Sequence, residues 1–192
     1  MKYFLLPLML ASLVLAGCSS NPNAIEPNDL PDFEASYKVK RLWSEGVGDG
    51  VEDSQLSLRP AVTALQVIAG DVFGDVYAVS RDKGKRQWRK KTGDRIAGGF
   101  YAGYGMVLYG TREGMAVALD AETGEELWQT EVRPYKDGYS ITVPPITVGD
   151  KVIVGHSGGE FGVRGSVQAY DQASGELIWR FYTIPGPGEQ GH

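Results

Sequence analysis

From about residue 58 onward the chain alternates short apolar runs with breaks rich in glycine and aspartate. The clearest run is Gly114 to Trp128, GMAVALDAETGEELW. Val117 and Leu119 alternate with Ala116, Ala118 and Asp120, which is the period-two pattern of a strand. Ala121-Glu122-Thr123-Gly124 supplies turn residues, and Glu125 to Trp128 opens a return strand. The pattern recurs at Gly74 to Trp88 (GDVYAVSRDKGKRQW) and at Gly165 to Trp179 (GSVQAYDQASGELIW). In all three copies glycine stands first, alanine four residues later, glycine ten later and tryptophan fourteen later. A repeat that holds four positions fixed governs the fold before any single motif does.

Further apolar runs precede each copy. They are Pro60 to Leu65 and Gln66 to Ala69, then Gly99 to Gly103 and Met106 to Tyr109, then Val143 to Val148 and Lys151 to Gly155. Gly103-Tyr104-Gly105 and Gly149-Asp150 mark the turns between them. Each unit is therefore four short strands in about 40 residues, the size of a β-propeller blade. The pattern predicts an all-β chain without a helix of useful length. It holds three four-stranded blades, at 58–93, 97–133 and 140–184, and one strand, Tyr37 to Val47, around Trp43. Trp88, Trp128 and Trp179 are expected to pack between blades, and Asp120 and Asp171 to bond the backbone of their turns. The third unit is longer, with its extra residues around Tyr135 to Tyr139 and Ser157 to Val163. A closed propeller typically takes about four to eight blades, so 37–192 reads as part of a longer, or of a recombined, propeller.

The first twenty residues follow another pattern. Lys2, the apolar run Tyr3 to Val14 and Leu15-Ala16-Gly17-Cys18 read as a secretory signal over 1–17. The apolar run is short against the roughly 20 residues of a membrane-spanning helix. Residues 18–36 are polar, hold Pro22, Pro27 and Pro31, and read as a tether. Cys18 is the one cysteine, so no disulfide forms within the chain. The net charge of −5, with lysine and arginine scattered among acids, argues against a nucleic-acid partner.

Leu-Ala-Gly-Cys resembles the bacterial lipobox, which implies lipid on Cys18. Ser19, in place of aspartate, points to the outer membrane, with the protein facing the periplasm. Ala118-Leu119-Asp120, Gly124 and Trp128 resemble the quinoprotein-type (PQQ-like) propeller repeat. Two families share it. Over residues 1 to about 132, the lipobox, the tether, LWSEGVGDG and the two blades that follow resemble BamB. That resemblance implies an eight-bladed periplasmic scaffold without catalysis or cofactor, bound to the central subunit of the outer-membrane β-barrel assembly machinery. In that family a Leu-Ser-Leu-Arg loop docks the partner. Leu56-Ser57-Leu58-Arg59 stands elsewhere, ahead of the first blade, and the role is not carried over.

Residues from about 133 to 192 resemble a blade of the quinoprotein alcohol dehydrogenases, above all at GGEFGVRG, Gly158 to Gly165. This implies an alternative reading in which Glu160 ligates Ca²⁺, and Thr142 and Ser157-Gly158-Gly159 contact pyrroloquinoline quinone. A carboxylate suits a hard cation, but one carboxylate is not a site, since Ca²⁺ takes about six to eight oxygens. The vicinal cysteine pair of that family is absent, and Cys18 does not replace it. His156 and Ser157 are neighbours on one run, so they point to opposite faces and do not form a nucleophile pair. Arg164 is expected to pair structurally between blades. The sequence thus points to a non-catalytic assembly scaffold, with a quinone- and Ca²⁺-dependent alcohol dehydrogenase fragment as the alternative.

Overall fold

The computed structural model describes residues 28–190. The signal at 1–17 and the lipidation site Cys18 lie outside the described residues. The chain divides into Met1–Lys40 and Arg41–His192. In the first unit residues 28–40 carry no helix or strand and are exposed.

The second unit holds three four-stranded antiparallel sheets, each a meander in chain order. The first comprises β1 (Ala61–Val62), β2 (Gln66–Gly70), β3 (Asp75–Ser80) and β4 (Arg86–Lys91). The second comprises β5 (Ile96–Gly103), β6 (Met106–Thr111), β7 (Met115–Asp120) and β8 (Glu126–Glu131). The third comprises β9 (Ile146–Val148), β10 (Lys151–Gly155), β11 (Ser166–Asp171) and β12 (Leu177–Tyr182). These are propeller blades, as the repeat predicts. The helical content among the described residues is two short 3₁₀ turns, Tyr135–Asp137 and Gly159–Phe161. Both fall in the extra length of the third unit.

The sheets stack face to face. Ile68, Val76, Ala78 and Trp88 of the first meet Val107, Tyr109, Val117 and Leu119 of the second. The opposite face of the second, with Leu108, Ala116, Ala118 and Trp128, meets Val152, Val154 and Tyr170 of the third. A single four-stranded sheet cannot cover both of its faces, and stacking removes that apolar surface from water.

Three of the four fixed positions of the repeat, the alanine, the second glycine and the tryptophan, have a place in this joint. The alanine lies directly opposite the tryptophan across the strand pair: Ala78 to Trp88, Ala118 to Trp128, Ala169 to Trp179. A methyl group there leaves room for the indole. A bulge falls just before every tryptophan, with Gln87, Leu127 and Ile178 as the extra residues. The ring then crosses to the next sheet and lies on the second glycine of its repeat. A Cβ on Gly124 would stand 2.7 Å from Trp88, and one on Gly175 would stand 2.6 Å from Trp128. The indole N–H donates to a turn carbonyl beside that glycine, Trp88 to Ala121 and Trp128 to Gln172, each at 2.9 Å.

Trp43 makes the same joint with the first sheet. Its Nε1 donates to the Arg81 carbonyl at 2.8 Å, and its ring covers Gly84. Contrary to the strand expected over Tyr37 to Val47, this segment forms no strand. Among the described residues it has no ladder partner, and its hold is the indole with the Glu45–Arg86 ion pair at 3.1 Å. Trp179 departs from expectation in the other direction. It is 41% exposed against 9% for Trp88 and 7% for Trp128. The reason is positional, because among the described residues no further sheet follows the third.

Asp120 and Asp171 hold their turns as predicted. Asp120 Oδ1 accepts from the backbone N–H of Glu122 and Thr123 at 2.9 and 2.7 Å. Asp171 Oδ1 does the same for Ala173 and Ser174 at 3.0 and 2.8 Å. These bonds favour the carboxylate form and hold both groups below the usual aspartate range.

Candidate functional site

The connections β8–β9 and β10–β11 meet at one end of the third sheet. Ser140 and Ser157 form an isolated antiparallel bridge. Ser157 Oγ lies 2.9 Å from Ser140 Oγ and 3.1 Å from Thr142 Oγ1. The chain then turns at Gly158, whose φ of 129° suits glycine alone, and where a side chain would collide with the Gly138 carbonyl. Gly159, Glu160 and Phe161 make the 3₁₀ turn, closed by Gly162 in the left-handed region. Thr142 and Ser157, distant in sequence, are thus brought together, and Gly158, Gly159 and Glu160 follow directly.

Glu160 is exposed and forms no salt bridge among the described residues. Among those residues no group of three acidic, histidine or cysteine side chains is placed to hold a metal ion. The hydroxyls of Ser140, Thr142 and Ser157 are spent on one another. One exposed carboxylate is a fraction of the roughly six to eight oxygens a Ca²⁺ ion takes, so the described residues would supply part of the cation site of the alternative reading and do not complete it.

Arg164 does not bridge two blades. It donates to the Ile184 carbonyl at 2.6 Å, pairs with Glu189 and lies over the Tyr182 ring at 3.8 Å, all within the third sheet and the segment after it. Leu58, of the Leu-Ser-Leu-Arg stretch, packs against the core between the first two sheets. The Arg59 carbonyl accepts from Phe100 N–H at 3.2 Å. Leu58 thus anchors the stretch to the joint, while Ser57 and Arg59 remain exposed.

Beneath the Ser157 turn lies a polar cluster that the sequence reading missed. His156 Nε2 lies 2.8 Å from Ser166 Oγ, and its ring meets Tyr139 edge-on at 4.8 Å. Gln168 Nε2 reaches Ser166 at 3.4 Å. Gln168 Oε1 accepts from Tyr170 at 2.7 Å and from Arg180 at 3.0 Å. Arg133 donates to the Tyr139 hydroxyl at 2.9 Å and stacks over its ring. Burial pushes the Tyr170 phenol up to about 12, although Arg180 beside it pulls the other way. The missed signal was Gln168. The other two units carry Tyr77 and Val117 at its repeat position, which faces the preceding joint.

Burial pushes His156 below the ordinary histidine value, and the Arg133 and Arg180 charges push the same way. The Ser157 backbone beside the ring opposes them. The unfolded chain therefore binds the proton more readily than the folded one. The stability that neutral His156 contributes is complete above the unfolded value of about 6.5 and falls as pH drops below it. Thermal unfolding followed between pH 8 and pH 5 should show a melting temperature that declines below about 6.5, and His156→Asn should flatten that decline.

Open hollows lie at both ends of the sheets. One of about 480 Å³ is lined by Arg112, Tyr135, Lys136, Tyr139, Ser140 and Phe161, against the Ser157 turn. A larger one, about 740 Å³, lies on Thr63 to Gln66, Tyr104 and Ala121, and none of the sequence-predicted site residues lines it.

Comparison with known proteins places this geometry. The family model described as outer membrane protein assembly factor BamB matches residues 41–190. The quinoprotein alcohol dehydrogenase PedH of Pseudomonas putida is 30% identical over 183 residues, covering 91% of this chain and 31% of PedH. Among solved structures, the quinohemoprotein alcohol dehydrogenase ADHIIG of Pseudomonas putida HK5 superposes with a TM-score of 0.63 at 33% identity, over 76% of this chain and 22% of that one. BamB of Moraxella catarrhalis superposes with a TM-score of 0.56 at 30% identity, over 69% of this chain and 38% of that one. The chain therefore spans well under half the length of each of these relatives.

Proposed function

The chain belongs to the family of the outer membrane protein assembly factor BamB, and from that premise we propose that it is a non-catalytic scaffold that assists assembly of β-barrel proteins into the outer membrane. It acts by protein–protein contact with a subunit of the barrel-assembly machinery, on the periplasmic side of the membrane, anchored through lipid on Cys18. The observation that carries this reading is the extent of the family match, which takes in all three sheets and the docked Trp43. The loop around Glu160 supports it by what its residues do. The hydroxyls of Ser140, Thr142 and Ser157 bond one another and close a turn.

The test is co-purification. Tagged chain expressed with its signal should bring barrel-assembly subunits out of detergent-solubilised membranes, and a Cys18→Ala variant should shift from the membrane to the soluble fraction. Recovery of the chain alone from intact membranes would count against the assembly role.

A second reading is favoured by the likeness to the alcohol dehydrogenases and by the contact of Thr142 with Ser157. In it the chain is a dehydrogenase-derived module that takes pyrroloquinoline quinone and Ca²⁺ at Thr142, Ser157, Gly158, Gly159 and Glu160. The quinone would supply the redox chemistry. Titrating the purified chain with quinone and Ca²⁺ separates the two. The scaffold reading expects an unchanged absorbance spectrum and melting temperature, whereas a saturable change that Glu160→Gln abolishes would establish the second.

A further inference from the structure

Three arginines of the described chain are shielded from full exposure: Arg133, Arg164 and Arg180. Arg164 has its carboxylate in Glu189. Among the described residues, Arg133 and Arg180 have none within ion-pair distance. Their acceptors are neutral, the Tyr139 hydroxyl for one and Gln168 Oε1 for the other. Each also keeps a buried Nε–H without an acceptor, and so does Nδ1 of His156, which lies in the same cluster.

The three groups belong to one network. From Arg180 it runs through Gln168 and Ser166 to His156, and from His156 across the Tyr139 ring to Arg133. Two guanidinium charges taken partly out of water need more than neutral acceptors in return. The other charged or titratable groups facing the cluster are Tyr170, Tyr182 and Asp137, and Asp137 acts on Arg133 at longer range, without forming an ion pair.

We propose that Arg133, His156 and Arg180, at the joint between the second and third sheets, form a binding site for one small oxyanion, a carboxylate or a phosphate-type group. Planar guanidinium donors match oxygens held in one group, and they bind such groups more tightly than a spherical halide. The anion supplies acceptors to the β8–β9 connection, through Arg133, and to the third sheet, through Arg180, so binding ties that connection to the sheet. The site lies beneath the Ser157 turn but uses none of Thr142, Ser157 and Glu160, and it stands whichever functional reading holds. Its ligand can be a free ion or a carboxylate side chain brought by a partner.

The experiment titrates the full chain with inorganic phosphate and, separately, with acetate, at fixed ionic strength set by chloride. Thermal unfolding and the NMR titration of the histidine rings are followed together. A bound anion favours the imidazolium form, so the His156 titration should move up by about one unit. His192, the only other histidine, serves as the unshifted reference. The melting temperature should rise saturably with at least one of the two anions. Arg133→Gln and Arg180→Gln should each weaken the response about tenfold or more, while the exposed Arg112→Gln should not. A response to acetate alone assigns the site to a carboxylate, and a response to phosphate assigns it to a free oxyanion; either supports the site. No saturable response to either anion, or an equal response in Arg180→Gln, overturns it. If the variants do not fold, an unmoved His156 titration in the unaltered chain overturns it by itself.

Discussion

Trp128→Ala is expected to destabilise the chain by about 3–5 kcal/mol, the range for deleting a buried aromatic side chain. Trp128 is only 7% exposed. It fills the space over Gly175, and its N–H satisfies the Gln172 carbonyl. Removal leaves a cavity between two sheets and an unpaired carbonyl at its edge. Trp128→Phe retains most of the packing and loses the hydrogen bond, so its cost should be nearer 1 kcal/mol. Trp179→Ala provides the contrast. It alters the same repeat position, but this ring is 41% exposed and, among the described residues, rests on no following glycine. Its cost should stay below about 1 kcal/mol, as for other exposed positions. Urea unfolding of the three variants, followed by circular dichroism, checks the order. Equal losses at Trp128 and Trp179 would mean that the inter-sheet joint is not what the tryptophans stabilise.

That contrast also marks what the sequence could and could not disclose. The repeat was legible because each fixed position answers a separate local demand. Alanine makes room opposite an indole, a polar side chain holds the turn, and glycine accepts the ring from the sheet before. Position in the stack is another matter. Trp179 sits in a unit that matches the other copies at all four fixed positions, and nothing within that unit says whether a neighbour covers it. Trp43 shows the reverse case. It docks as the others do, although its segment has no strand partners. In sequence a docked indole and a paired strand look alike.

The candidate site divides along the same line. Gly158 to Phe161 could be read as a turn, and Ser157 and Thr142 do meet. The cluster around His156 could not be assembled from the sequence, because Arg133, Tyr139, Gln168 and Arg180 come from different strands and connections. Only the packing of the third sheet on the second gathers them. Gln168 was the one visible clue, a polar residue at a position that is apolar in Val117 and aromatic in Tyr77. Arg164 was misread for a related reason. Its partners, Ile184 and Glu189, lie on the segment after β12, where no pattern predicts the path of the chain.

The second large effect is expected at Gly124. Its φ is 75°, in the left-handed region, and its missing Cβ is where the Trp88 ring lies. Gly124→Ala therefore meets two costs, about 1–2 kcal/mol for the backbone and about 1–3 kcal/mol for displacing a packed ring. A total loss of about 2–4 kcal/mol follows if the two add in part. Gly93→Ala separates them. Gly93 has a φ of 79°, but a Cβ there meets nothing within 4 Å. Its loss should match the backbone cost alone. The excess at Gly124 then measures how closely the second sheet approaches Trp88. A double-mutant cycle with Trp88→Ala completes the argument. With the indole gone the added methyl has space, so Gly124→Ala should cost no more than Gly93→Ala in that background, a coupling within the 0.5–3 kcal/mol typical of residues in contact. Strict additivity would instead place the whole effect in the backbone and detach the glycine of the repeat from its tryptophan.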